Sequence, residues 1–135
     1  MRATGYARRR LLIVDDDARF GESATAVLTK AGFIAHFHRG PFGTLGAIRG
    51  SGCQVVLMDV DMPGLDGPML VRMIRGSFGP GLRVLLCSNM SEGTLSRLAF
   101  ACRADGALPK TAFAGDIASR LEEALGEGAR RVVAR

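Results

Sequence analysis

The chain has 135 residues, 47% of them hydrophobic, which fits one globular domain able to bury about two-thirds of its unfolded surface and excludes a disordered chain. Of its 18 basic residues, seven arginines lie in residues 1–10 and 127–135, so the net charge of +5 belongs to the ends and the body between them is close to neutral. That distribution argues against a nucleic-acid-binding surface, and no apolar run approaches the roughly 18 residues that a membrane span needs.

The four apolar residues that follow "ARRR" are too few for an export signal, so the expected compartment is the cytoplasm, with no membrane partner. Residues 1–10 read as a basic N-terminal extension. Cys53, Cys87 and Cys102 form no CxxC pair and no zinc-ligand spacing, as suits small buried thiols in a reducing compartment.

Leu11–Val14 reads as a buried strand, and it runs straight into Asp15, Asp16 and Asp17. Adjacent carboxylates repel, so such a cluster costs stability unless a cation or a proton settles it. A helix follows, with Phe20, Ala24, Val27, Leu28 and Ala31 on one face and Gly32 as its stop. Phe33–His38 predicts a second, more polar strand, suited to a sheet edge. His36 and His38 share one face of it, and two ligands do not make a metal site. The Gly-rich stretch "GPFGTLGAIRGSG" leaves room for a short helix around Thr44–Ile48.

Val55–Met58 predicts a third strand ending at Asp59. Pro68 opens a helix at the position proline tolerates best, with Met69, Leu70, Met73 and Ile74 expected on its inner face. Val84–Cys87 reads as a fourth strand, Thr94–Cys102 as a helix and Ala107–Pro109 as a short fifth strand. The last helix shows Phe113, Ile117, Leu121 and Leu125 at steps of four, with Gly126 and Gly128 expected to end it. Residues 127–135 then form a basic C-terminal tail or the start of a linker, and residues 11–126 the domain. Five strands alternating with helices imply an α/β fold, a parallel sheet with helices on both faces.

In such sheets the ligand site lies beyond the carboxyl ends of the strands. Here those ends carry Asp15 and Asp16, then Asp59, Ser88 and Lys110. Three carboxylates, a hydroxyl and an ammonium suit a carboxylate nucleophile that accepts a phosphoryl group, with a divalent metal offsetting the acids. Lys110 carries independent weight, because the chain has 16 Arg and only two Lys, and a compact point charge is placed here.

The fragments "LLIVDDD", "VVLMDVDMPGLDG", "VLLCS" and "GALPK", in that order and spacing, resemble the receiver domain of bacterial two-component response regulators. The resemblance implies a flavodoxin-like fold with strand order 2-1-3-4-5, and a phosphoacceptor rather than an enzyme with external turnover. It implies that Asp59 accepts the phosphoryl group and that Asp16 binds Mg²⁺ directly. Asp15 would act through a metal-bound water, and Asp61 would lend its backbone carbonyl. Ser88 and Lys110 would contact the phosphoryl oxygens, and Pro63 and Gly67 would shape the turn after the acceptor. Asp17, left over, is expected to cap the first helix. The implied partners are a sensor histidine kinase or phosphotransfer protein and a downstream protein whose identity is not legible.

Three positions depart from the family's pattern. Asn89 stands beside the phosphoryl site where a small residue is usual. Thr111 follows Lys110 in place of proline, so no cis peptide is expected there. Ala107 stands where many receivers carry an aromatic ring that reports phosphorylation. Two rival readings follow: a docking module independent of phosphorylation, and a haloacid-dehalogenase-type phosphatase, whose nucleophile motif "VVLMDVD" resembles. The phosphatase leaves "LLIVDDD" unexplained.

Overall fold

Side chains along the first strand point alternately to two cores, and this alternation sets the layering of the whole molecule. The computed structural model describes residues 9–133. Strand β1 (Arg10–Asp15) buries every residue after Arg10. Leu11 and Ile13 join one hydrophobic cluster, and Leu12 and Val14 join the other. Strands β2 (Ile34–Arg39), β3 (Val55–Asp59), β4 (Arg83–Ser88) and β5 (Gly106–Pro109) complete a parallel sheet in the order β2-β1-β3-β4-β5. This is the expected five-stranded α/β arrangement.

Helices α1 (Ala18–Lys30) and α5 (Ile117–Val133) cover the face of Leu11 and Ile13 through Ala24, Leu28, Ile117, Leu121 and Leu125. Helices α2 (Thr44–Ser51), α3 (Gly67–Phe78) and α4 (Glu92–Cys102) cover the other face through residues such as Ile48, Leu70, Ile74, Leu95 and Ala99. Each fully buried leucine or isoleucine contributes about 1.5–3 kcal/mol of apolar transfer. Strand β2 alternates between exposed and half-buried residues and lies at the edge, as its polarity predicts.

Several local expectations need correction. The inner face of α3 is Gly67, Leu70, Val71 and Ile74, the spacing of one helical stripe, while Met69 and Met73 are each 44% exposed. Gly67 is buried because α3 starts against the backbone of Val60, where an added Cβ would stand 3.1 Å from the Val60 carbonyl oxygen. On α1, Gly21 takes the buried place expected for Ala31, and a Cβ there would run into the Phe37 ring. Phe33 is buried but precedes β2. Phe113 belongs to a separate 3₁₀ turn, Lys110–Ala114, and not to α5. Gly126 and Gly128 do not stop α5. Its Ala, Glu and Arg residues are good helix formers, and they outweigh a glycine cost of about 1 kcal/mol each.

One polar network was not legible beforehand. Arg75 of α3 pairs with Asp105 at 2.5 Å and donates to the carbonyls of Leu82 (2.6 Å) and Arg103, whose φ of 68° closes α4. Asp105 also accepts the Val84 N–H at 2.8 Å. The network ties α3, the end of α4 and the start of β4 together at the amino end of the sheet. Asp105→Ala should lower unfolding stability in urea by about 2 kcal/mol, because it removes the ion pair of Arg75 and leaves the Val84 N–H without its acceptor. A change of only a few tenths would show that the network is solvated and dispensable.

Candidate functional site

The parallel register brings the carboxyl ends of the strands into one row. Asp15 ends β1, Asp59 ends β3 opposite Cys87, and Ser88 ends β4 opposite Pro109, which hands the chain on to Lys110. Asp15 is 1% exposed, Asp59 4% and Ser88 0%, so three polar groups are held out of water at the strand ends.

Lys110 joins them. Its Nζ lies 2.8 Å from Asp15 Oδ2 and 3.5 Å from Asp59 Oδ1. The ammonium also stands over the Phe20 ring at 4.5 Å, and Phe20 meets Phe113 edge to face at 5.3 Å. These two rings therefore form a wall beside the ion pairs. Their part in the site was missed in the sequence, where both were assigned only to helix core; the available signal was an aromatic one turn beyond the acids and another just after Lys110.

Asp15 uses both oxygens, one toward Lys110 and one accepting the Asp17 N–H at 2.9 Å. Asp17 caps α1 as expected, its Oδ1 accepting from Arg19 and Phe20 N–H groups. Asp16 is half-buried, and its carbonyl accepts from Arg39 Nε at 3.2 Å. Carboxylate oxygens of Asp15, Asp16 and Asp59 all lie within 4.8 Å of one another. Asp61 is exposed. Ser88 Oγ accepts the Met90 N–H at 3.1 Å, and among the described residues its own proton has no acceptor. Asn89 is exposed beside it, and Thr111 is exposed beyond Lys110. The cis peptide found among the described residues is Gly40–Pro41, so the bond after Lys110 is trans as expected.

Burial pushes the Asp59 carboxyl above the ordinary carboxylate range, and the neighbouring charge of Asp15 adds to the shift; Lys110 and the Asp61 N–H offset it only in part. For Lys110, burial acts to lower the value, but the hydrogen bond to Asp15 and the charges of Asp59 and Asp15 together outweigh it, and the ammonium is held above its usual range. Cys87, enclosed between these groups, is pushed up to about 12 by burial and is inert as a thiolate. Three converging carboxylates against one ammonium leave the site with an excess of negative charge. That donor set, hard oxygens around a concave edge, fits a small divalent cation such as Mg²⁺.

The family model for the response regulator receiver domain matches residues 11–122, which takes in every residue of this site. The chain belongs to the response regulator receiver family. This receiver is 36% identical over 72 residues to the DNA-binding response regulator MtrA of Mycobacterium tuberculosis, which covers 53% of the chain and 32% of MtrA. It is 29% identical over 125 residues to the transcriptional regulatory protein CusR of Escherichia coli, covering 92% of the chain and 54% of CusR. The chain thus spans about a third to a half of the length of these curated relatives. A two-component response regulator of Clostridium difficile shares its fold with a TM-score of 0.75 at 16% identity, covering 87% of this chain and 96% of that one. The match takes in "LLIVDDD", which the phosphatase reading left unexplained.

The raised Asp59 value has a definite sign. A carboxyl whose folded pKa is raised favours the fold while protonated, and that contribution fades as pH rises through the raised value. In metal-free buffer, Asp59→Asn should therefore be more stable than wild type at about pH 7, and the gap should close toward about pH 4. Urea unfolding at the two pH values tests this; an Asn variant that is no more stable at neutral pH would show that Lys110 already neutralises the pair.

Proposed function

We propose that this receiver takes a phosphoryl group from a phosphohistidine of a sensor kinase or phosphotransfer protein onto Asp59. The observation that carries the proposal is the buried Asp59 carboxylate within reach of both Lys110 and the Asp15–Asp16 pair. A carboxylate oxygen of Asp59 attacks phosphorus. The O–P bond forms as the bond from phosphorus to the donor nitrogen breaks, and the imidazole leaves with the electron pair and takes up a proton. Asp16 and Asp59 are the residues to hold Mg²⁺ directly, with Asp15 acting through a water and Asp61 through its carbonyl. Asp15's two oxygens are already engaged, which favours the indirect role. Bound Mg²⁺ supplies positive charge against the carboxylates and the incoming phosphoryl oxygens.

Lys110 then exchanges part of its hold on the carboxylates for a phosphoryl oxygen, and the hydroxyl of Ser88 donates to another. The chemistry is stoichiometric: the chain changes itself and turns over no external substrate beyond the loss of its own phosphate. Signalling proceeds through contacts with a downstream protein. MtrA is named as DNA-binding and CusR as a transcriptional regulator. A nucleic-acid partner is thus compatible with a longer protein that includes this chain, against the expectation drawn from charge alone. No helix among the described residues is long and apolar enough to cross a membrane. Incubation with acetyl phosphate should give an acid-labile label on Asp59 that needs Mg²⁺ and is absent from Asp59→Asn. A label that persists in that variant would overturn the assignment.

A second reading, docking that barely senses phosphorylation, has its own observation. Ala107 of β5 is half-buried, and with Ser96 of α4 and Arg120 and Glu123 of α5 it lines a cavity of about 360 Å³ that has no aromatic ring among the described residues of its lining. With so small a side chain there, NMR shifts caused by a Mg²⁺-bound phosphate mimic should be large at Ser88–Met90 and small across Glu92–Cys102 and Ile117–Leu125. Equally large shifts on both helices would show that a relay operates without an aromatic.

A further inference from the structure

The opposite end of the sheet carries a feature that the phosphoacceptor chemistry does not use. The amino ends of β1, β3 and β4 and the carboxyl ends of α2 and α3 enclose a cavity of about 590 Å³, lined in part by Arg9, Arg49, Arg83, Gln54, Phe78 and Leu82. No acidic side chain of the described residues lines it. Asp105, an acid at this end of the sheet, is held by Arg75 and the Val84 N–H and does not offset Arg49 and Arg83. Among the described residues neither Arg49 nor Arg83 has a carboxylate partner, and Arg83 Nη1 is buried with no hydrogen-bond acceptor. Buried donors are almost always satisfied, and Arg83, whose side chain lines the cavity, is one acceptor short.

The geometry supports an anion of a particular kind. Arg49 lies over the Phe78 ring at 5.4 Å. A cation held over a ring keeps its N–H groups able to donate to an acceptor. Gln54 accepts the Arg10 N–H through Oε1, which leaves its amide NH₂ as a further donor. Arginine forks match phosphate oxygens in pairs, and several of them require a ligand with at least two negative charges held close together. The cavity is far larger than an inorganic phosphate and falls in the range of small-molecule sites, about 300–1,000 Å³. Its apolar wall, Phe78 and Leu82 with Ile48, suits an organic body.

We propose that this cavity binds a phosphorylated metabolite of nucleoside-diphosphate size, with Arg49 and Arg83 holding the phosphates and the apolar wall receiving the remainder. The site is separate from Asp59, at the far end of the same strands.

The test is a calorimetric and NMR titration of the full chain with ADP as probe, in metal-free buffer with a chelator. Saturable binding is expected, with amide shifts centred on Gly52 and Gly81 at the cavity mouth, and adenosine should not bind. Arg49→Gln and Arg83→Gln should each weaken ADP binding about tenfold, the usual scale for one charge-assisted phosphate contact. Arg97→Gln, an exposed arginine on α4, should leave it unchanged. If Arg83→Gln loses the fold by circular dichroism, Arg49→Gln decides the matter alone, since Arg49 is exposed on α2. The proposal is overturned by the absence of saturable binding, by adenosine binding as tightly as ADP, by equal loss in Arg97→Gln and Arg49→Gln, or by shifts centred on Asp16 and Ser88.

Discussion

Lys110 sits between two buried carboxylates, and the rest of the site depends on that placement. Removing Asp15 and Asp59 from water would each cost several kcal/mol if they were left unpaired. One ammonium, 2.8 Å from the first and 3.5 Å from the second, offsets part of that cost, and the Phe20 ring covers it on another side. The compensation is incomplete, as the raised Asp59 value shows. An incompletely compensated acid cluster, stable enough to fold and still in deficit of positive charge, is what the proposed cation-dependent acceptor would require.

The fold delivers this arrangement by register. All five strands run parallel, so their carboxyl ends meet at one edge, and strand order places β1, β3 and β4 side by side. Apolar runs of four residues bury each acid at its strand end, and the close approach of Gly67 to Val60 turns the chain back into α3 directly after the loop that follows Asp59. The same topology gathers the amino ends at the opposite edge. There Arg75 and Asp105 neutralise each other and leave Arg49 and Arg83 beside a cavity with no acid among the described residues of its lining. One end of the sheet thus carries an excess of negative charge and the other an excess of positive charge, although the body of the chain is nearly neutral.

Most of this was legible in the sequence, because strands buried on both faces appear as continuous apolar runs whose ends are easy to locate. Asp15, Asp59, Ser88 and Lys110 could be placed together from topology alone. What could not be read depended on tertiary contact. The inner face of α3 excludes Met69 and Met73 because Gly67 and Val71 occupy the stripe, a rotation that apolar identity alone does not reveal. Gly126 and Gly128 look like stop signals, yet the flanking helix formers carry α5 through them. The Arg75–Asp105 pair joins residues 30 apart in sequence and has no local signature. Phe20 as the cover of Lys110 is a contact between a first-turn helix residue and the end of the fifth strand, far apart in the chain and adjacent only in the fold.

The central claim is that Lys110 makes the burial of both carboxylates possible, and a double-mutant cycle on the metal-free protein tests it most directly. Lys110→Met should destabilise the fold by about 3 kcal/mol, because two acids then remain buried without their cation. Adding Asp59→Asn to that variant should recover at least half of the loss. Strictly additive effects of the two substitutions, measured by urea unfolding with a chelator present, would contradict the account.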